Sequence, residues 1–220
     1  MTIITHNDSL RTAQSVACRF CQLPTRETPI VENPIGIAVP SIGAFVEGWL
    51  LVIPRRHMVA LSDLMEWERE EFRALMVETE KLIDGKYGHT VMFEHGPAAA
   101  GRNAGCGVDH AHLHIMPITI ALHETVRTDG GGRDLQWRPA TLPWDADAEH
   151  AAGLDYFFVR EADGTAWVAS TPSAPSQLLR RAIAKYIGAP VWDWKVDFQP
   201  ELMAATYRRL LDSTNVMVRE

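Results

Sequence analysis

Residues 110–116 read His110-Ala111-His112-Leu113-His114-Ile115-Met116, with polar and apolar side chains alternating as far as Ile115. A period of two belongs to a β-strand, whose successive side chains point to opposite faces. The strand is placed at 108–116. His110, His112 and His114 then line one face, while Ala111, Leu113 and Ile115 enter a core on the other. Three imidazoles on one face disfavour one another's protonation, so at least one is neutral near pH 7. A neutral imidazole is a nucleophile toward phosphorus, and a neighbouring imidazole can pass a proton to the leaving group. The same alternation suits a metal site with several histidines on one strand. These residues alone do not choose between the two.

Upstream lies a Gly-rich loop, GPAAAGRNAGCG, at 96–107, preceded by a strand at 90–94. His95 reads as a solvated loop residue and Cys106 as a small loop residue. Before that, Phe72, Leu75, Met76, Thr79, Leu82 and Ile83 recur at helical spacing. The helix is placed at 62–84, with an Asp63/Glu66 capping box at its start and Gly85 as its stop. Two short apolar runs, 35–39 and 49–53, read as a buried hairpin ended by Pro54. Cys18-Arg19-Phe20-Cys21 stands near the start of the chain. In a reducing compartment such a pair is metal-binding or redox-active.

Downstream of Pro117 the texture changes. Residues 121–150 read as a long irregular connection. Runs at 156–160 and 165–169 flank Asp163-Gly164 and predict a hairpin. Helices follow at about 176–187 and 200–212. In the first of these, Arg180, Arg181 and Lys185 read as a solvated face. The expected organisation is a catalytic module at 14–120 and an extension at 121–220 packed against it.

Composition bounds the rest. Hydrophobic residues make up 46% of 220, charged residues 22%, and the net charge is -7. That is the balance of a soluble globular chain. It offers no broad basic field for extended nucleic acid or a membrane surface. No run approaches the ~20 apolar residues of a membrane span, and the first residues do not read as a secretory signal. A cytoplasmic protein is expected. Three cysteines do not suggest a disulfide framework.

The run from Cys18 to Pro117 resembles the histidine-triad (HIT) family. The His-x-His-x-His followed by two apolar residues is its signature. Cys18-x-x-Cys21 is similar to the N-terminal pair of many bacterial members. Gly48-Trp49-Leu50-Leu51-Val52-Ile53-Pro54-Arg55-Arg56-His57 is similar to the family's strand ending in a Pro-Lys-x-His segment. The long helix and the Gly-rich loop fall in the family's order. The chain departs from the pattern at Cys106-Gly107, where the family often has Gln-Ser, and at Glu94-His95-Gly96, near which the family has Asn.

The resemblance implies an α+β fold: an antiparallel sheet with helices packed on one face, here with a C-terminal β-hairpin and helical extension. It implies a nucleotide hydrolase acting at the α-phosphate of a dinucleoside polyphosphate or nucleoside phosphoramidate. His112 would form a nucleotidyl-histidine intermediate, and His114 would contact the phosphate or leaving group. Asn103, Gly105, Cys106, Gly107 and His114 are the implied substrate contacts, with backbone N–H groups of the loop cradling phosphate oxygens. Tetrahedral zinc needs two ligands beyond Cys18 and Cys21. His57 is supplied by the family match, and His110 is the triad member not needed for attack. A homodimer is implied. The alternatives are a nucleotidyltransferase or phosphorylase with an acceptor other than water, and a zinc-stabilised nucleotide-binding module without turnover.

Overall fold

The computed structural model describes residues 18–26, 28–105, 107–128 and 131–217, with side chains left aside at 24–26 and 212–217. Residues 14–17 of the expected module and Cys106 lie outside them. The elements run α1 (Arg19–Arg26), β1 (Val31–Glu32), β2 (Gly36–Pro40), β3 (Leu50–Pro54), a 3-10 turn (Leu61–Asp63), α2 (Glu66–Tyr87), β4 (Val91–Gly96) and β5 (Leu113–Met116). They continue with α3 (Leu122–Thr128), β6 (Arg138–Ala140), a 3-10 turn (Pro143–Ala146), α4 (Asp147–Ala151), β7 (Asp155–Arg160), β8 (Ala166–Thr171), α5 (Leu178–Ile187) and α6 (Pro200–Met217).

All strands join one eight-stranded sheet in the order β1-β2-β3-β5-β4-β7-β8-β6, and every pairing is antiparallel. The fold is α+β, as expected. β5 sits between β3 and β4, with His114 opposite Leu51 on one side and Phe93 on the other. β7 pairs with β4 over five residues, so the extension continues the sheet of the triad.

The period of two divides the core. Ala111, Leu113 and Ile115 pack with Val52, Met92 and Phe158 beneath α2, which contributes Phe72, Leu75 and Ile83. Leu210 of α6 joins this layer. The opposite face carries Trp49, Phe93 and Phe157, covered by Leu122 and Val126 of α3 and Leu178, Leu179 and Ile183 of α5. Toward β2, Phe20 and Leu23 of α1 close it over Ile37, Val39 and Leu51. The histidine face is thus roofed largely by the extension.

Several local expectations are corrected. β5 begins at Leu113, so His110 and His112 precede the strand. Pro54, two residues beyond Val52, the last β3 residue paired with β5, has no N–H for the ladder, and its carbonyl oxygen bonds the His110 ring at 2.8 Å. The His112 ring likewise bonds the His110 carbonyl at 2.8 Å, so side chains take over the backbone's partners. The long helix starts at Glu66, where Glu68 Oε2 accepts the Met65 N–H at 2.8 Å. Asp63 instead caps the preceding turn through the Ala60 N–H. The helix passes Gly85 and stops at Gly88, whose φ is 90°. Tyr87 holds that last turn: its ring packs against Gly48, and its hydroxyl donates to Glu47 at 2.8 Å. The described residues of 121–150 are not one irregular connection. They contain α3, β6 and α4, because Leu122, Val126 and Leu135 are core residues of the second face.

Candidate functional site

Cys18 and Cys21, at the start of α1, meet His57, beyond β3, and His110, ahead of β5. Cys18 Sγ lies 3.4 Å from His110 Nδ1. Cys21 Sγ lies 3.5 Å from His57 Nδ1 and 3.6 Å from His110 Nδ1. All four donor atoms fall within 4.8 Å of one another. A tetrahedron with metal–sulfur bonds of ~2.3 Å and metal–nitrogen bonds of ~2.0 Å has edges of roughly 3.3–3.8 Å. The three sulfur–nitrogen distances fall in that range. His110 Nε2–H donates to the Pro54 carbonyl, which turns Nδ1 toward the sulfurs as an outer-shell partner does in metal sites. Burial, and then the neighbouring Cys18, push the Cys21 thiol up to about 12. Burial lowers His110 to about 4 and also lowers His57. Neutral imidazoles and close-set thiols are the donor set a divalent cation takes up, the thiols ionising as it binds.

His112 is buried on the adjoining side, its ring edge-on to Phe20 at 5.2 Å and to His114 at 4.8 Å. Since the His110 carbonyl only accepts, His112 Nδ1 carries the proton and Nε2 presents a lone pair. His114 has the opposite tautomer. Trp49 Nε1–H donates to its Nδ1 at 3.2 Å, so the proton sits on Nε2. His114 also stacks on Phe93 at 4.3 Å. Burial, partly offset by the bond to the His110 carbonyl, lowers His112 to about 4. Burial and then the charge of His112 hold His114 well below the usual imidazole range. Both rings are therefore neutral near pH 7.

A small cavity opens on these two rings. Phe20, Ile42, Leu51 and Val108 give it an apolar wall, and Arg180 of α5 lines it beside His112 and His114. Arg180 is 1% exposed, which corrects its reading as part of a solvated face. Helical spacing places it next to Leu179 and Ile183, on the side of α5 that meets the sheet. His95 is also corrected. It belongs to β4, is buried, and its Nε2 accepts the Leu179 N–H at 3.2 Å.

The Gly-rich loop is tied down by Asp155, at the start of β7. Its carboxylate accepts the N–H groups of Ala98 at 2.9 Å and Ala174 at 3.0 Å, and pairs with Arg102 at 2.6 Å. Of the loop's expected substrate contacts, Gly105 is buried, Asn103 and Gly107 are exposed, and none of the three is among the residues lining the triad cavity. Cys106 lies outside the described residues. Gly107 has φ 83° and backs onto the Lys195 side chain, which leaves no room for a Cβ there. Sequence reasoning brought together Cys18, Cys21, His57, His110, His112 and His114. It missed Trp49, His95, Asp155 and Arg180.

The HIT domain model matches residues 25–119. The chain is 29% identical over 105 residues to adenosine 5'-monophosphoramidase hnt1 of Schizosaccharomyces pombe, covering 46% of this chain and 74% of that one. It is 33% identical to an uncharacterized HIT-like protein of Mycobacterium tuberculosis, covering 46% of this chain and 70% of that one. Among solved structures, a hypothetical protein from Leishmania major is similar, with a TM-score of 0.42, 22% identity, and coverage of 63% of this chain and 93% of that one. With its triad, its match to the HIT domain model and its 33% identity to a HIT-like relative covered over 70% of its length, the chain belongs to the HIT family.

Proposed function

We propose that this protein is a nucleotide hydrolase that attacks an α-phosphorus with His112. One observation carries the reading: the bond from His112 Nδ1–H to the His110 carbonyl puts a lone pair on Nε2 beside a cavity with one apolar wall and two cationic residues, Arg19 and Arg180. Nε2 attacks phosphorus and forms the phosphorus–nitrogen bond as the bond to the leaving group breaks. His114 Nε2–H donates a hydrogen bond to the departing group, which takes its proton from bulk water. Water then bonds phosphorus as the phosphorus–nitrogen bond breaks, gives its proton to bulk water, and restores His112. The apolar wall of Phe20, Ile42, Leu51 and Val108 suits the nucleoside, while Asn103 and the backbone at Gly105–Gly107 attend the phosphate's outer side.

The similarity to a monophosphoramidase supports a nucleoside phosphoramidate substrate; a dinucleoside polyphosphate is the other substrate to be tested. The ion at Cys18, Cys21, His57 and His110 is read as zinc. It would pin α1 and the approach to β5, and hold charge on no reacting atom. A catalytic module at 14–120 with a packed extension at 121–220, a homodimer and a cytoplasmic setting belong to the same reading. No helix among the described residues is long and apolar enough to cross a membrane.

The test is turnover of adenosine phosphoramidate and of a dinucleoside polyphosphate, followed by intact-mass spectrometry of rapidly quenched reactions. Wild-type protein is expected to show a nucleotidyl adduct. His112→Ala is expected to show none and to lose at least ~10³ in rate. Full turnover by His112→Ala overturns the mechanism. Product that retains inorganic phosphate as acceptor identifies a phosphorylase.

A further inference from the structure

We propose that Arg180, delivered by the C-terminal extension, is a catalytic residue whose guanidinium meets the oxygens of the phosphoryl group attacked by His112. This rests on the phosphoryl-transfer reading above. Arg180 lines the same cavity as His112 and His114 yet stands on α5, outside the residues matched by the family model. Burying a cation is costly unless its surroundings are arranged for it. Here one terminal nitrogen, Nη2, donates to the Gly43 carbonyl at 2.6 Å and reaches the Trp192 carbonyl at 3.4 Å. The guanidinium carbon lies over the rings of Phe45 and Trp49, 4.7 and 4.8 Å from their centres. Carbonyl dipoles and ring faces orient the group while adding no net charge of their own.

The same indole that carries Arg180 on its face holds His114 by its edge. The cation and the hydrogen-bond donor are therefore fixed relative to each other through one rigid ring. A planar fork of N–H donors matches phosphate oxygens. In a site sheltered from water, a fixed cation stabilises charge developing on those oxygens without having to reorganise. Asn103 is exposed and does not line the cavity; of the two cations that do, Arg19 and Arg180, Arg180 is the one that is 1% exposed and held against Trp49.

Binding of AMP and of adenosine, followed by calorimetry, tests this without turnover. Wild-type protein is expected to prefer AMP by about tenfold or more, the worth of a charge-assisted bond. Arg180→Gln is expected to lose that preference while keeping its affinity for adenosine. Equal wild-type affinity for the two probes, or an undiminished AMP preference in folded Arg180→Gln, overturns the proposal. Thermal melts establish folding. Should Arg180→Gln not fold, Arg180→Lys carries the test: losing the fork is expected to weaken AMP but not adenosine, and equal changes or none overturn the proposal. Absence of turnover with an Arg180-dependent AMP preference sinks the proposed function alone. A His112 adduct with an Arg180-independent AMP preference sinks this inference alone.

Discussion

Trp49 Nε1–H donates to His114 Nδ1 at 3.2 Å, and both side chains are buried. An indole N–H can only donate, so this bond assigns the His114 proton to Nε2. Trp49→Phe keeps most of the packing against Phe45 and Phe93 but removes the donor. The expected outcome is a fall in kcat of roughly tenfold to a hundredfold, the scale of a positioned hydrogen-bond donor losing its orientation, with a smaller change in KM. The assay is steady-state kinetics on a turned-over phosphoramidate. An unchanged kcat in a folded variant removes Trp49 from the mechanism.

The metal prediction follows from the edges of the Cys-His tetrahedron. Protein purified without added metal is expected to carry about one zinc per chain, measured by elemental analysis, and Cys18→Ser/Cys21→Ser is expected to carry almost none. Phe20 of α1 touches both His110 and His112 by ring edges and forms part of the cavity wall. Loss of the ion should therefore raise KM as well as lower the melting temperature, at ~2–4 °C for each kcal/mol lost in a chain of this size. Equal zinc in both proteins rejects the cluster as a metal site.

A third prediction concerns Asp155, which binds Ala98, Arg102 and Ala174 from one buried carboxylate. Asp155→Ala leaves two N–H groups and a guanidinium without that acceptor. Leaving a buried donor without its acceptor costs about 1–3 kcal/mol, so a clear drop in the urea midpoint is expected. Hydrogen exchange should rise first at residues 97–105. A uniform rise across the sheet instead makes Asp155 a general core residue rather than the loop's anchor.

The triad and the Cys pair were legible because each is a local pattern. An alternation of five residues and a spacing of three state their chemistry without knowledge of the fold. The strands at β2, β3, β4, β7 and β8 were legible for the same reason. Arg180 was not, because on an amphipathic helix an arginine beside two leucines reads as the polar edge. Only the contact with Gly43, 137 residues away, makes it a buried cation. Trp49 read as strand core, which it is; its edge becomes a donor only once β5 lies beside β3. His95 followed a strand expected to end at Glu94, and two more residues of pairing with β7 moved it from solvent to core. The extension's strands were expected as a hairpin. Their attachment to β4 depends on sheet order, which no local signal carries.

The last prediction is a pH dependence built on the far side of the sheet. Glu94 is fully buried. Its Oε1 accepts the Leu61 N–H at 2.7 Å, and the Tyr156 hydroxyl donates to Oε2 at 2.8 Å. Burial pushes its carboxyl up from 4.5 to about 8, against the pull of those two donors. The folded protein therefore keeps the proton over a range in which the unfolded chain has released it. Stability from this group is fully present below about pH 4.5, falls as pH rises, and stops falling once the folded carboxyl also ionises near 8. His150, raised by its hydrogen bond to Asp63, changes stability in the same direction as pH rises through its own range. A wild-type profile alone thus does not isolate Glu94. Glu94→Gln does: its amide keeps an acceptor for Leu61 and a partner for Tyr156 but has no proton to lose. Between pH 5 and 8 the wild type is expected to lose stability more steeply than the variant, by at most about 1.4 kcal/mol per pH unit, the slope of one proton. Urea unfolding across that range measures it. Parallel profiles would mean that Glu94 is ionised in the folded protein throughout.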